Sequence, residues 1–126
     1  MTRALILLAH GSSDAHWRAP FEALEAALKK RLNTPLALAY MEISEPSLET
    51  TAAALAEQGV KQAEILPLFF AAGRHLRKDV PAQVAALNAA YDTSNAGLTL
   101  TLLPPVGQHP AFIDALATAI TEQAER

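Results

Sequence analysis

The sequence predicts an α/β fold, a three-layer sandwich in which helices flank a four-stranded parallel sheet. Two observations carry that reading. Short apolar runs alternate with longer amphipathic ones four times along the chain, which is the pattern of successive βαβ units. The runs ALILLA and AEILPLFF are almost unbroken apolar stretches, as expected of strands covered on both faces.

In order, the pattern predicts β1 at 3–9, α1 at 17–32, β2 at 36–42, α2 at 47–58, β3 at 62–70, α3 at 79–91, β4 at 97–104 and α4 at 110–124. Phe21, Leu24, Leu28 and Leu32 recur at helical spacing, as do Val80, Val84, Leu87 and Tyr91. Each set gives its helix one apolar stripe to lay on a sheet. Pro46 and Pro110 fit a first helical turn, Asp79 is the expected N-cap of α3, and Gly59 closes α2. Pro67 is awkward because it has no N–H to donate. Either β3 lies at an edge there or its pairing stops or bulges near Pro67.

Composition narrows the function classes. At 126 residues the chain makes one domain, 1–126, with no linker or repeat. Such a length removes roughly two thirds of the unfolded surface from water, enough for one core. The net charge of −3 gives no footprint for nucleic acid. Cysteine is absent, which excludes disulfides, iron–sulfur clusters and thiolate zinc sites. The apolar stretch before His10 is too short for a signal-peptide core or a membrane span. No membrane partner is expected, and a cytoplasmic location is.

In an open parallel sheet all βα loops emerge at one end, where ligands bind. That end receives His10 after β1, Glu42 after β2, His75 after β3 and His109 after β4. Two imidazoles and a carboxylate suit divalent first-row metals and leave coordination positions open for exchange. The same groups can accept protons near neutral pH. Arg74, Arg77 and Lys78 adjoin His75 and form a local cationic group for a carboxylate- or phosphate-bearing substrate. Each residue has a plain structural reading as well: a strand-end histidine is commonly a hydrogen-bonding residue, and the three cations could be a solvated face. His16 and His109, close to helix starts, are read as structural.

The segments LLAHGSSD, the Trp and Pro-Phe at the start of α1, YMEISEPSL, and LPLFFAAGRHLRKDVP together resemble the small, single-domain sirohydrochlorin chelatases of the class II chelatase group. The resemblance covers most of residues 5–81. It implies a chelatase-like fold with a flavodoxin-like βα repeat, and an ATP-independent lyase that inserts a divalent metal, cobalt first, into the tetrapyrrole sirohydrochlorin during cobalamin biosynthesis. Iron for sirohaem, or nickel, occurs among relatives. The family's metal-binding and proton-accepting histidines correspond to His10 and His75, and its acid to Glu42. No cofactor beyond the metal substrate is implied, and a chain of this size resembles the half-length form that pairs as a homodimer. Arg74, Arg77, Lys78, Ser12, Ser13 and Arg18 are candidate contacts for the substrate's carboxylates. Two rivals remain at this point. One is a phosphoryl-transfer enzyme using His10 as nucleophile, as a histidine followed by glycine after a first strand does in histidine phosphatases, although Ala9 stands where those enzymes carry arginine. The other is a non-catalytic flavodoxin-like binding module.

Overall fold

The computed structural model describes residues 3–94 and 97–126, and for His75 the backbone alone. The elements are β1 (Arg3–Ala9), α1 (Ala15–Arg31), β2 (Leu36–Tyr40), α2 (Leu48–Glu57), β3 (Gln62–Pro67), α3 (Arg74–Thr93), β4 (Thr99–Leu102), a short 3₁₀ turn (Val106–Gln108) and α4 (Pro110–Ala124). All pairings are parallel, in the order β2-β1-β3-β4. The three-layer α/β sandwich expected from the sequence is therefore the fold observed.

Alternation along each strand sorts the core into two faces. Ala4, Ile6 and Leu8 of β1 join Leu48, Ala52 and Leu55 of α2 and Leu76, Val80 and Val84 of α3. Leu7 and Ala9 face the other way, with Leu36, Leu38 and Tyr40 of β2, and pack against Trp17, Phe21 and Leu28 of α1. Full burial of one such aliphatic side chain is worth about 1.5–3 kcal/mol. The chain runs from β1 outward to β2, then returns over β1 to β3. That reversal makes the gap between the carboxyl ends of β1 and β3 the topological switch point.

Pro67 is the last residue of β3, which is a central strand. Pairing thus ends at the proline, the second of the two expected outcomes. Leu68 N–H donates to the Leu8 carbonyl and Leu103 N–H to that of Ile65. Alternate residues face opposite neighbours, so Pro67 faces the β4 side, where strand pairing has already ended at Leu102. Its missing donor costs no ladder bond.

Both outer strands have backbone groups met by helix side chains. The Glu25 carboxylate of α1 accepts from Leu38 N–H at 2.8 Å. Asn88 of α3 accepts from Leu100 N–H at 2.7 Å and donates to the Leu100 carbonyl at 3.0 Å. Covered edges are poor templates for unwanted strand addition.

Several predicted boundaries move. Helix α3 begins at Arg74 with Gly73 as N-cap, so Asp79 lies inside the helix and does not cap it. Asp79 followed by Pro81 imitates a helix start, whereas the Leu76–Val80–Val84 stripe shows that the apolar face begins a turn earlier. Ser47 is the N-cap of α2, its hydroxyl accepting from Thr50 N–H, which leaves Pro46 just outside the first turn. Strands β2, β3 and β4 are shorter than predicted because their apolar character runs on into the loops. Gly59, with φ +85°, follows α2 as expected, and Pro110 opens α4.

Candidate metal-handling site at the carboxyl end of the sheet

His10 is the first residue beyond β1 and its side chain is exposed at the switch point. The next residue is held by backbone geometry. Gly11 has φ +106°, and a Cβ there would stand 1.8 Å from the Glu42 carbonyl oxygen, so only glycine lets the loops after β1 and β2 approach. Glu42 N–H donates to the His10 carbonyl at 3.0 Å. Ser44 Oγ accepts from Ser12 N–H at 2.8 Å and donates to the Ser12 carbonyl at 2.6 Å. His10 and Glu42 are thereby carried on two laced loops.

Several sequence candidates are occupied by this lacing. Ser12 Oγ accepts from Asp14 N–H, and the Ser12 carbonyl also receives Arg18 Nη1 at 2.7 Å. Arg18 further pairs with Glu22 at 3.7 Å. These contacts give Ser12 and Arg18 structural work in the loop, while Ser13 is exposed.

The His10 ring lies flat on Phe69, with centroids 4.1 Å apart and planes 15° apart. One imidazole face is thus covered by an aromatic ring, and the ring's rotation about its side-chain bonds is limited. Phe69 is itself buried, at 7% exposure. Its carbonyl accepts from Gly107 N–H at 3.0 Å, and a Cβ on Gly107 would stand 1.7 Å from the Phe70 carbonyl oxygen. The turn after β4 therefore fixes the residue that supports His10. Sequence reasoning placed Phe69 inside β3 and missed this support, which an apolar run does not signal.

His75 is the second residue of α3 and its backbone stands at the same end of the sheet; its side chain lies outside the described atoms. Arg74, Arg77 and Lys78, expected in a loop, instead occupy the first two turns of α3. Spacings of three and four put them on one helix face, away from buried Leu76 and Val80. No acidic residue occupies the first turn, and Gly73 supplies no side-chain cap. Cationic side chains at the positive end of a helix dipole raise the local potential, which favours anions.

Among the described residues, no three His, Asp or Glu side chains gather as a metal-holding group. Any set that includes the His75 imidazole falls outside that statement. His109 caps α4, its Nδ1 accepting from Ala111 N–H at 3.1 Å, a structural role as expected. His16 stands in the first turn of α1, but there the capping group is the Asp14 carboxylate, which accepts from His16 N–H. A cleft of about 490 Å³ runs along the outer edge of β2 beside Asn33, Pro35 and Gln58, and His10 is not in its lining. A second hollow of about 300 Å³ is lined by Leu66, Leu103, Pro104, Val106 and Pro110.

Comparison with known proteins places this arrangement in a family. The CbiX family model matches residues 4–123. A sirohydrochlorin cobaltochelatase of Sulfolobus acidocaldarius is 31% identical over 97% of this chain and 89% of its own length. The chloroplastic sirohydrochlorin ferrochelatase of Arabidopsis thaliana is 28% identical over 89% of this chain, which spans 48% of that relative. Among solved structures, a chain from Marinobacter aquaeolei VT8 described as a CbiX protein of cobalamin biosynthesis superposes with a TM-score of 0.83 at 44% identity, covering 98% of both chains. The sirohydrochlorin chelatase SirB of Bacillus subtilis, in complex with cobalt, shares the fold at a TM-score of 0.80 and 21% identity, over 97% of this chain and 51% of its own. With nearly its whole length matched by the family model, this chain belongs to the CbiX family.

Proposed function

We propose that this chain is an ATP-independent chelatase that inserts a divalent metal ion, cobalt first, into sirohydrochlorin. The observation that carries the reading is the exposed His10 at the switch point of a CbiX chain, backed by Phe69 and laced to the loop that bears Glu42. Metal insertion exchanges two inner N–H protons of the macrocycle for one M²⁺. The site must hold a metal loosely and accept protons beside it. His10 and His75 hold the metal, and Glu42 together with an imidazole released as the metal passes into the ring accepts the two protons. Nitrogen and oxygen donors without thiolate favour release of the metal into the ring. Arg74, Arg77 and Lys78 receive the substrate's peripheral carboxylates, with exposed Ser13 and the Ser12 loop beside them.

A homodimer is the proposed working state. Helix α4 has no buried residue and exposes Ile113 at 45% and Ile120 at 59%, seven residues apart and so on one face. An apolar helix face and the neighbouring hollow beside Leu66 are surfaces a second copy would cover. No described helix is long and apolar enough to cross a membrane; the proposed location is the cytoplasm, with residues 1–126 acting as one domain and no nucleic-acid partner. The relatives named for iron give a second reading, the ferrochelatase step of sirohaem synthesis.

The test is an absorbance assay of sirohydrochlorin with Co²⁺, Fe²⁺ and Ni²⁺ in turn, against the uncatalysed rate. The reading predicts acceleration with at least one metal and the largest with Co²⁺. Equal rates with and without protein for all three would refute it.

A further inference from the structure

We propose that Ile43, carried on the turn that is hydrogen-bonded to the His10 loop, is a specificity-determining contact for the flat face of the macrocycle. The inference rests on the tetrapyrrole reading above and names a residue to which that reading gives no role. Ile43 has φ +72°, and it is the only non-glycine residue with positive φ among those described. For a β-branched residue this is a costly conformation. Ser44 N–H donates to the Glu42 carbonyl at 2.8 Å, closing a three-residue γ-turn of the strained, positive-φ kind about Ile43. Burial gives no compensation, because Ile43 is 73% exposed.

Such strain persists only where surrounding contacts over-determine it. Here four of the contacts reach to the His10 loop. Glu42 N–H binds the His10 carbonyl, the Glu42 carbonyl sits over Gly11, and the Ser44 hydroxyl makes two bonds to Ser12. The turn at Ile43 is therefore tied to the His10 loop, while Tyr40 N–H, donating to the Pro46 carbonyl at 2.9 Å, closes its base. On the other side of His10 in strand order, Phe70 follows β3 and is 62% exposed, its ring T-shaped to that of Phe112 with centroids 5.7 Å apart. Two large exposed apolar side chains thus stand on the loops either side of the His10 loop in strand order, while the cations stand on α3. A planar apolar ring with carboxylates on its periphery matches that distribution: apolar contacts for the face, cations for the rim.

The experiment compares wild type with Ile43→Gly, Ile43→Asn and Ile43→Val in Co²⁺ insertion into sirohydrochlorin, together with Tm and solution mass. Glycine relieves the strain and removes the contact, so Tm should rise by about 4 °C while KM for sirohydrochlorin rises about tenfold. Asparagine tolerates the turn but is polar, and should show the same KM loss; valine should keep the wild-type KM. Unchanged KM in both the glycine and asparagine variants overturns the proposal. So does a KM loss that accompanies a change in solution mass, which would make Ile43 an inter-subunit contact. If wild type fails to accelerate insertion, the chelatase reading falls by itself, and binding of metal-free sirohydrochlorin followed by its absorbance then decides this one. About tenfold weaker binding by Ile43→Gly sustains the contact, and equal or absent binding in both proteins ends it.

Discussion

His10 owes its place to two neighbours of different kinds: a glycine that lets the adjoining loop come close and an aromatic ring that supports the imidazole. Replacing His10 by Ala should lower metallation by at least about 100-fold, the usual scale for losing a positioned acid–base group. Folding should be nearly unaffected, since the side chain is exposed; circular dichroism and Tm check this. Gly11→Ala should behave oppositely and cost several kcal/mol in urea unfolding, because both the φ and the space are wrong for a Cβ. Tyr40 gives a pH prediction. Burial, then the charge of Glu22 and its hydrogen bond to the phenol, push its pKa above that of a free phenol. The fold therefore favours the neutral form, and the stabilisation is fully present below about pH 10 and lost as pH rises through the raised value. Tyr40→Phe should be less stable than wild type at pH 8 and show a flatter decline in denaturant midpoint above pH 10. His10 and Glu42 were legible in the sequence because polar residues directly after apolar runs stand out. Phe69 and Ile43 were not, since ring stacking and a positive φ leave no mark in a hydrophobic pattern.

At the scale of elements, every predicted strand and helix exists, and the errors gather where one signal imitates another. In α3 a chemically plausible cap, Asp79, concealed the true start at Arg74, although Leu76 already belonged to the apolar stripe. The shift turns three expected loop cations into one face at a helix N-terminus, which is what the proposed function uses. Asn88 shows what pattern reading cannot reach: a single amide that meets both backbone groups of Leu100 on the outer strand. Asn88→Ala should cost about 1–3 kcal/mol of unfolding free energy, as partners on a part-buried strand are left unmet. In α4 the predicted limits match those observed, but within this chain no residue of the helix is fully buried and only Phe112 and Leu116 are half-buried. The Ile113→Asp/Ile120→Asp double variant should leave the monomer fold intact and halve the mass seen by sedimentation; an unchanged mass would remove α4 from the interface.

Across the whole molecule, function follows from topology. The strand order β2-β1-β3-β4 sets His10 beside the switch point and brings the start of α3 to the same end of the sheet. Residues sixty-five positions apart in the sequence thereby become candidates for one metal. The alternation of apolar runs made the parallel βα architecture readable before any coordinates, whereas the strand order and the side-chain geometry at the site leave no periodicity to read. The most direct test is a Co²⁺ titration without tetrapyrrole, followed by the visible absorption of the bound ion, on wild type, His10→Ala and His75→Ala. Shared ligation predicts that wild type gives a saturable band and that each single variant loses at least about tenfold in affinity, as expected when one of few protein ligands is removed. Wild-type affinity retained in either variant would contradict it.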